Sequence, residues 1–223
     1  GADINEVANA VGTDTRVGNK FLKAGPGFGG SCFKKDILNL VYLSNYFGLE
    51  KVGDYWQEVL NLNQWQKKRI TDVIVKKLFG TLSEKKISVL GFSFKENTND
   101  TRESSAIELV KNLIEEKAHV FIHDPKVSIE QIEKDLIDVP KNYSKIKSNI
   151  GSWQFNKDLY ENASDADAIL IITGWDEYKD INWRKIADLM RKPSWIFDTR
   201  SIVNPEDIKE TGLKLWQLGN GYL

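Results

Sequence analysis

Hydrophobic positions along the chain change their period once, near residue 80, and the change splits the sequence into two textures. From Asp3 to about Phe79 the period is helical. The first helix opens with Asp3 and Glu6 at capping-box spacing and stops at Gly12. A second spans about Cys32 to Phe47, and a long third begins near Asp54. In the third, Trp56, Val59, Leu60, Ile70, Val73, Ile74 and Leu78 return mostly at three- and four-residue steps, so one side is built for burial. That side fits a subunit interface and an intramolecular bundle equally well.

"GTLSEKK" ends the helical period. "KISVLGF" (Lys86 to Phe92) then reads as a buried strand, "SSAIELVKNLIEEKA" as an amphipathic helix and "HVFIHD" as a second strand. A polar, irregular stretch runs from about Val127 to Ser152. After it come "AILIITG", the helical "NWRKIADLM", "SWIFDT" and "LKLWQLG". Short apolar strands alternating with amphipathic helices predict βαβ units. The fold class is α/β: a helical region over residues 1–80, then a doubly wound, mostly parallel Rossmann-like sheet over residues 81–223.

That sheet lacks the dinucleotide fingerprint. G-x-G-x-x-G lets the backbone close on a pyrophosphate, whereas the first strand here runs into "GFSFKENTNDTRES", one glycine followed by bulky and charged residues. Asp124 stands where a ribose-binding acid would, but without the glycines it reads as a surface acid before Pro125. Strand ends carry cations instead: Lys95 and Arg102 after the first strand, Arg200 after "SWIFDT". Ligands of open α/β sheets sit at those ends, and fixed cations there suit phosphates.

The densest chemistry lies in "GPGFGGSCFKKD", Gly25 to Asp36, which surrounds the only cysteine of the chain. Glycines let successive main-chain N–H groups form an anion-binding concavity. Cys32 falls where the pattern turns helical, with Ser31 the expected N-cap, so a helix N-terminus and the neighbours Lys34 and Lys35 favour a thiolate. Asp36, one turn on, puts a carboxylate on the same face to orient water or a proton. The alternative is a small buried hydrophobe without chemistry, against which the glycines and polar flanks argue. Only His119 and His123 are available as histidines; His123 reads as structural, and the composition offers no Cys-His dyad and no zinc cluster.

Composition narrows the function class. With 41% hydrophobic and 28% charged residues the chain builds a core. Its 31 basic and 32 acidic residues leave no field to favour nucleic acid or an anionic membrane. No apolar run spans a bilayer. A single cysteine forms no internal disulfide, which fits a reducing, cytoplasmic setting. The chain starts without methionine, directly in a helix, and so reads as a piece of something longer.

"VGTDTRVGNKFLKAGPGFGGSCFKKDILNLVYL", "VLGFSFKENTNDTRESSAIELVKNL", "IHDPKV" and "FDTR" together resemble the UDP-glucose 6-dehydrogenases, within the wider nucleotide-sugar dehydrogenases. The resemblance covers the chain from its first residue. It implies a helical dimerisation region followed by a UDP-sugar-binding domain, without the N-terminal NAD-binding domain, in a homodimer or higher homo-oligomer. In the implied chemistry the 6-hydroxymethyl group of UDP-glucose is oxidised twice by NAD, through a thiohemiacetal and a thioester on Cys32. Asp36 matches the carboxylate assisting thioester hydrolysis. The run Lys23, Ala24, Gly25, Pro26, Gly27, Phe28 and Gly29 matches the segment that wraps sugar and diphosphate, and Phe33 lies near the substrate. Phe94, Lys95 and Arg200 match substrate contacts from the C-terminal domain, and Arg16 one that reaches a neighbouring subunit's substrate. Arg102 and the segment Cys32, Phe33, Lys34 and Lys35 match contacts to NAD. The family's catalytic lysine, acid–base glutamate and oxyanion-holding asparagine map to nothing in this chain, which implies that it turns over no UDP-glucose alone. Oxidation of GDP-mannose or UDP-N-acetylmannosamine is the alternative within the group, and a non-catalytic nucleotide-sugar-binding module the alternative outside it.

Overall fold

The computed structural model describes residues 1–141 and 150–220. Helix α1 (Ile4–Gly12) begins where Asp3 accepts from the amides of Asn5 and Glu6, at 2.7 and 3.3 Å. Helix α2 (Phe33–Tyr46) has Cys32, not Ser31, at its N-cap, with no side-chain capping bond. Helix α3 (Glu50–Lys77) starts one turn earlier than the hydrophobic pattern indicates, because the three residues between it and α2 suffice for the reversal. The two helices pack on each other as a hairpin.

The remaining elements alternate: β1 (Lys86–Leu90), α4 (Ser105–Glu115), β2 (His119–His123), α5 (Ile129–Asp135), β3 (Ser152–Phe155), α6 (Leu159–Ala163), β4 (Ala168–Ile171), α7 (Trp183–Leu189), β5 (Trp195–Asp198), α8 (Pro205–Ile208) and β6 (Lys214–Gln217). All strand pairs are parallel, in the order β3-β2-β1-β4-β5-β6. The stretch from Val127 to Ser152 holds more structure than its polarity announces. It includes α5, capped by the Ser128 hydroxyl on the Gln131 amide at 3.3 Å, and the first residue of β3. Residues 142–149 of that stretch lie outside the described residues.

Alternation along each strand feeds two cores. Ile87, Val89, Leu170 and Phe197 face α3 and α4, joined by the fully buried Ile70, Ile74 and Leu109. Leu90, Ile169, Ile171 and Ile196 face Ile186 of α7 and Tyr178. Each such side chain contributes about 1.5–3 kcal/mol by leaving water. The apolar stripe of α3 is covered along its length: Ile70, Ile74 and Leu78 enter the sheet core, Leu60 is buried, and Trp56 and Val59 are half-buried. Off the stripe, Tyr55, Leu62 and Trp65 are 65, 62 and 57% exposed. Among the described residues no helix is long and apolar enough to cross a membrane.

Strand register brings Leu90, His123, Ile171 and Asp198 to one level. The loops that follow them consequently open on the same edge of the sheet. Between β1 and β4 the winding direction reverses, the place where open α/β sheets leave a crevice.

Candidate functional site

A cleft of about 800 Å³ lies at that edge, within the size range of ligand sites. One wall is the glycine loop with Lys23, Ala24, Gly25, Gly27, Phe28 and Gly29, continued by Phe33. Opposite stand Phe94 and Lys95 after β1, Gly174 and Asp176 after β4, and Arg200 after β5; Asn63 and Gln66 of α3 complete it. Ten of the residues singled out in the sequence thus meet in one concavity. Pro26 is buried. Arg16 is exposed, away from the lining, with its guanidinium on Asp14 at 2.5 Å. Cys32 is exposed and adjoins the lining residue Phe33, with its Sγ 3.5 Å from the Ser31 hydroxyl. Lys35 and Asp36 are exposed on the first turn of α2, where the Asp36 amide donates to the Cys32 carbonyl at 2.9 Å.

The loop's glycines serve protein contacts, which corrects the reading of a free anion concavity. A Cβ on Gly29 would fall deep inside van der Waals contact with the Glu103 carbonyl oxygen. Gly27 has φ of +128°, and a Cβ there would sit 2.7 Å from Asn63 Oδ1. Two loop amides are already engaged: Phe28 N–H donates to Asn63 Oδ1 at 2.9 Å and Gly30 N–H to the Arg102 carbonyl at 2.9 Å. The glycines let this loop lie against α3 and the β1–α4 connection at once.

Cations at the strand ends fall into two groups. Arg102 is clasped by Asp100, with Nη2 to Oδ2 at 2.7 Å; that hydrogen bond is the main cause holding its pKa above the ordinary value, with a smaller contribution from nearby Cys32. Lys34 reaches Glu103 at 2.9 Å. Lys95 and Arg200 differ: among the described residues neither has a carboxylate within ion-pair distance. The Arg200 Nε donates to the Ile172 carbonyl at 2.6 Å, and burial pushes its pKa below the usual value while Glu96 and Asp198 oppose the shift. Its ordinary pKa is so high that it stays charged. A partly desolvated guanidinium without an ion-paired carboxylate presents positive charge to the cleft.

Asp124 is buried, at 4% exposure, and is not the surface acid its place before Pro125 indicates. Its Oδ2 accepts from the amides of Phe92 and Ser93 at 2.6 and 3.1 Å and from Trp175 Nε1 at 3.2 Å. Its Oδ1 accepts from Lys126 and Val127 at 2.8 and 2.9 Å. One carboxylate thus ties together the loops leaving β1, β2 and β4. Asp198 plays the same part at β5, accepting from the amides of Arg200 and Val203, both at 2.8 Å. With Asp124 saturated and Gly91 the only glycine in the turn after β1, the α/β unit does not fit a dinucleotide bound in the Rossmann manner.

Sequence reasoning missed Asn63 and Lys67 of α3. Both are polar places on the helix face between Leu60 and Ile70, an interruption that marks the positions without telling what they bind. Lys67 is buried, at 5% exposure, and pairs with Glu108 of α4 at 3.1 Å.

Fold and site together define a Rossmann-like protein that lacks the dinucleotide glycines, carries cations at its strand ends and faces them with a cysteine loop. The chain belongs to the UDP-glucose/GDP-mannose dehydrogenase family. The family's UDP-binding domain matches residues 88–205 and its central domain residues 1–65. UDP-glucose 6-dehydrogenase 4 of Arabidopsis thaliana is 44% identical over 98% of this chain and 47% of its own length. UDP-glucose 6-dehydrogenase of Drosophila melanogaster is 45% identical over 100% of this chain and 46% of its own. A UDP-glucose dehydrogenase structure from Pyrobaculum islandicum superposes with a TM-score of 0.77 at 28% identity, over 99% of this chain and 44% of that one. The chain spans about half the length of these relatives.

Proposed function

We propose that this chain is the substrate-binding and subunit-contact portion of a UDP-glucose 6-dehydrogenase, with a helical unit over residues 1–80 and a UDP-sugar unit over residues 81–223. The observation that carries the reading is the pair of unpaired cations, Lys95 and Arg200, facing the cysteine loop across one cleft. Close relatives named UDP-glucose 6-dehydrogenase support it. The diphosphate lies against Lys95 and Arg200, and the sugar extends along the loop past Phe33 toward Cys32. There the sulfur adds to an aldehyde carbon at C6 of the sugar, and the covalent bond keeps that carbon from escaping. Asp36 takes a proton from the water that later hydrolyses the thioester, with the Cys32 sulfur as leaving group. NAD supplies the hydride acceptor for the full-length enzyme. The α/β unit of this chain, without the dinucleotide glycines, is not its main site; Arg102 and the segment Cys32, Phe33, Lys34 and Lys35 are contacts to its edge, and the 223 residues alone are expected to produce no NADH.

Self-association of two copies through α2 and α3 belongs to the same reading. Tyr42 and Tyr46 of α2 are 65 and 71% exposed, and with Tyr55 and Trp65 of α3 they leave large apolar rings in water. A cytoplasmic location agrees with the lone, exposed thiol.

Calorimetric titration with UDP-glucose, GDP-mannose and UDP-N-acetylglucosamine tests the reading. UDP-glucose is expected to bind with preference, and Arg200→Ala to weaken it about tenfold or more, the worth of one charge-assisted contact. Equal affinity in the Arg200→Ala variant, or no binding of any nucleotide sugar, overturns it.

A further inference from the structure

At Phe28 the cysteine loop borders a cavity of about 40 Å³ bounded also by Leu60, Asn63, Lys67 and Glu103. Hydrogen bonds hold the loop there, beside the packing of the buried Pro26 and Gly30. Three ties come from the β1–α4 side: Gly30 N–H to the Arg102 carbonyl at 2.9 Å, Ser105 Oγ to the Gly27 carbonyl at 3.2 Å, and Lys34 to Glu103 at 2.9 Å. From α3 the hydrogen-bonded tie is Asn63.

Asn63 grips the loop at one peptide residue from both sides. Its Oδ1 accepts the Phe28 N–H at 2.9 Å and its Nδ2 donates to the Phe28 carbonyl at 3.2 Å. Only a carboxamide offers a donor and an acceptor side by side to match a residue's N–H and C=O. A carboxylate would set oxygen against the Phe28 carbonyl, and glutamine would need an extra methylene where Gly27 already leaves none. The Phe28 ring in turn lies 5.3 Å from the Phe33 ring, next to Cys32. One turn along α3, the Lys67–Glu108 pair fastens the same helix face to α4. The clamp is thereby registered to the α/β unit that carries Lys95 and Arg200.

We propose that Asn63 is a positioning residue: by clamping the Phe28 backbone it fixes the cysteine loop over the cleft in the geometry that ligand binding requires. The choice of UDP-glucose as probe rests on the reading above; the clamp itself does not. Without it the loop must be ordered when ligand binds, at an entropic cost drawn from affinity.

Deuterium exchange at the Phe28 amide, with calorimetric titration of UDP-glucose, tests this on the full chain. Asn63→Ala removes the side chain, whereas Asn63→Leu keeps its approximate volume without its hydrogen bonds; Asn61→Ala, on an exposed part of the same helix, is the control. Both Asn63 variants are expected to exchange Phe28 about tenfold faster and bind UDP-glucose roughly tenfold more weakly, with Asn61→Ala unchanged, as fits two lost hydrogen bonds of ordinary strength. Unchanged exchange overturns the proposal even where affinity falls, since that pattern marks a direct ligand contact. Faster exchange with unchanged affinity overturns it too. If the parent chain binds no UDP-glucose, the functional reading fails while the exchange data still decide whether the clamp exists.

Discussion

Replacing Asp124 with asparagine asks how much one buried carboxylate holds together. Asparagine has a single acceptor oxygen. Its least costly orientation keeps that oxygen toward Phe92, Ser93 and Trp175 and turns the amide nitrogen toward the Lys126 and Val127 amides. The Val127 amide is then stranded in a buried site at a cost of about 1–3 kcal/mol, while the Lys126 amide recovers water more easily. The three remaining bonds change from charge-assisted to neutral, each losing about 1 kcal/mol. A total of about 4–6 kcal/mol results, a large share of an ordinary stability of about 5–15 kcal/mol. Urea unfolding followed by tryptophan fluorescence reads it directly. With a slope of about 3 kcal/mol per molar urea, the midpoint falls by about 1–2 M. A fall below about 0.3 M would refute the idea that Asp124 is the common anchor of the three loops.

Three further outcomes follow from the geometry. Gly29→Ala drives a methyl into the Glu103 carbonyl, so the loop lifts from the β1–α4 connection; the melting temperature is expected to drop by about 3–8 °C, and a neutral substitution would contradict the close approach. Cys32→Ser removes an exposed thiol and should shift the melting temperature by no more than about 2 °C while abolishing thiol labelling; a larger loss would make Cys32 a packing residue. His123 is buried beside Tyr178, its Nδ1 2.9 Å from the hydroxyl, and burial lowers its pKa below 6.5 against the opposing pull of Glu177, Asp124 and Asp158. Below pH 6.5 the unfolded chain therefore takes up a proton that the folded chain refuses, so stability falls as pH drops toward the folded-state value. Melting curves between pH 7.5 and 5.5 should show that slope in the parent and lose it in His123→Asn; an equal slope in both would assign it elsewhere.

How much of this was visible in the sequence depended on how local each signal is. Strands such as Ala168–Ile171 are buried on both faces and read as continuous apolar runs. Ser152–Phe155 has four residues with a glutamine among them, and Ile129–Asp135 is mostly charged, so neither rises above its polar surroundings. At the site, Lys95 and Arg200 were legible because strand ends in an α/β fold have known places. Asn63 was not, because its partner Phe28 is 35 residues away and nothing local demands an amide there. Asp124 was misread for a related reason: an aspartate before proline looks like an exposed turn until the loops from β1 and β4 close over it.

A structure of this chain with UDP-glucose tests the central claim most directly. The diphosphate is expected against Lys95 and Arg200 and the C6 hydroxymethyl turned toward Cys32 Sγ, with the Phe28 peptide still held by Asn63. A nucleotide bound elsewhere, or a sugar pointing away from the cysteine loop, would contradict it.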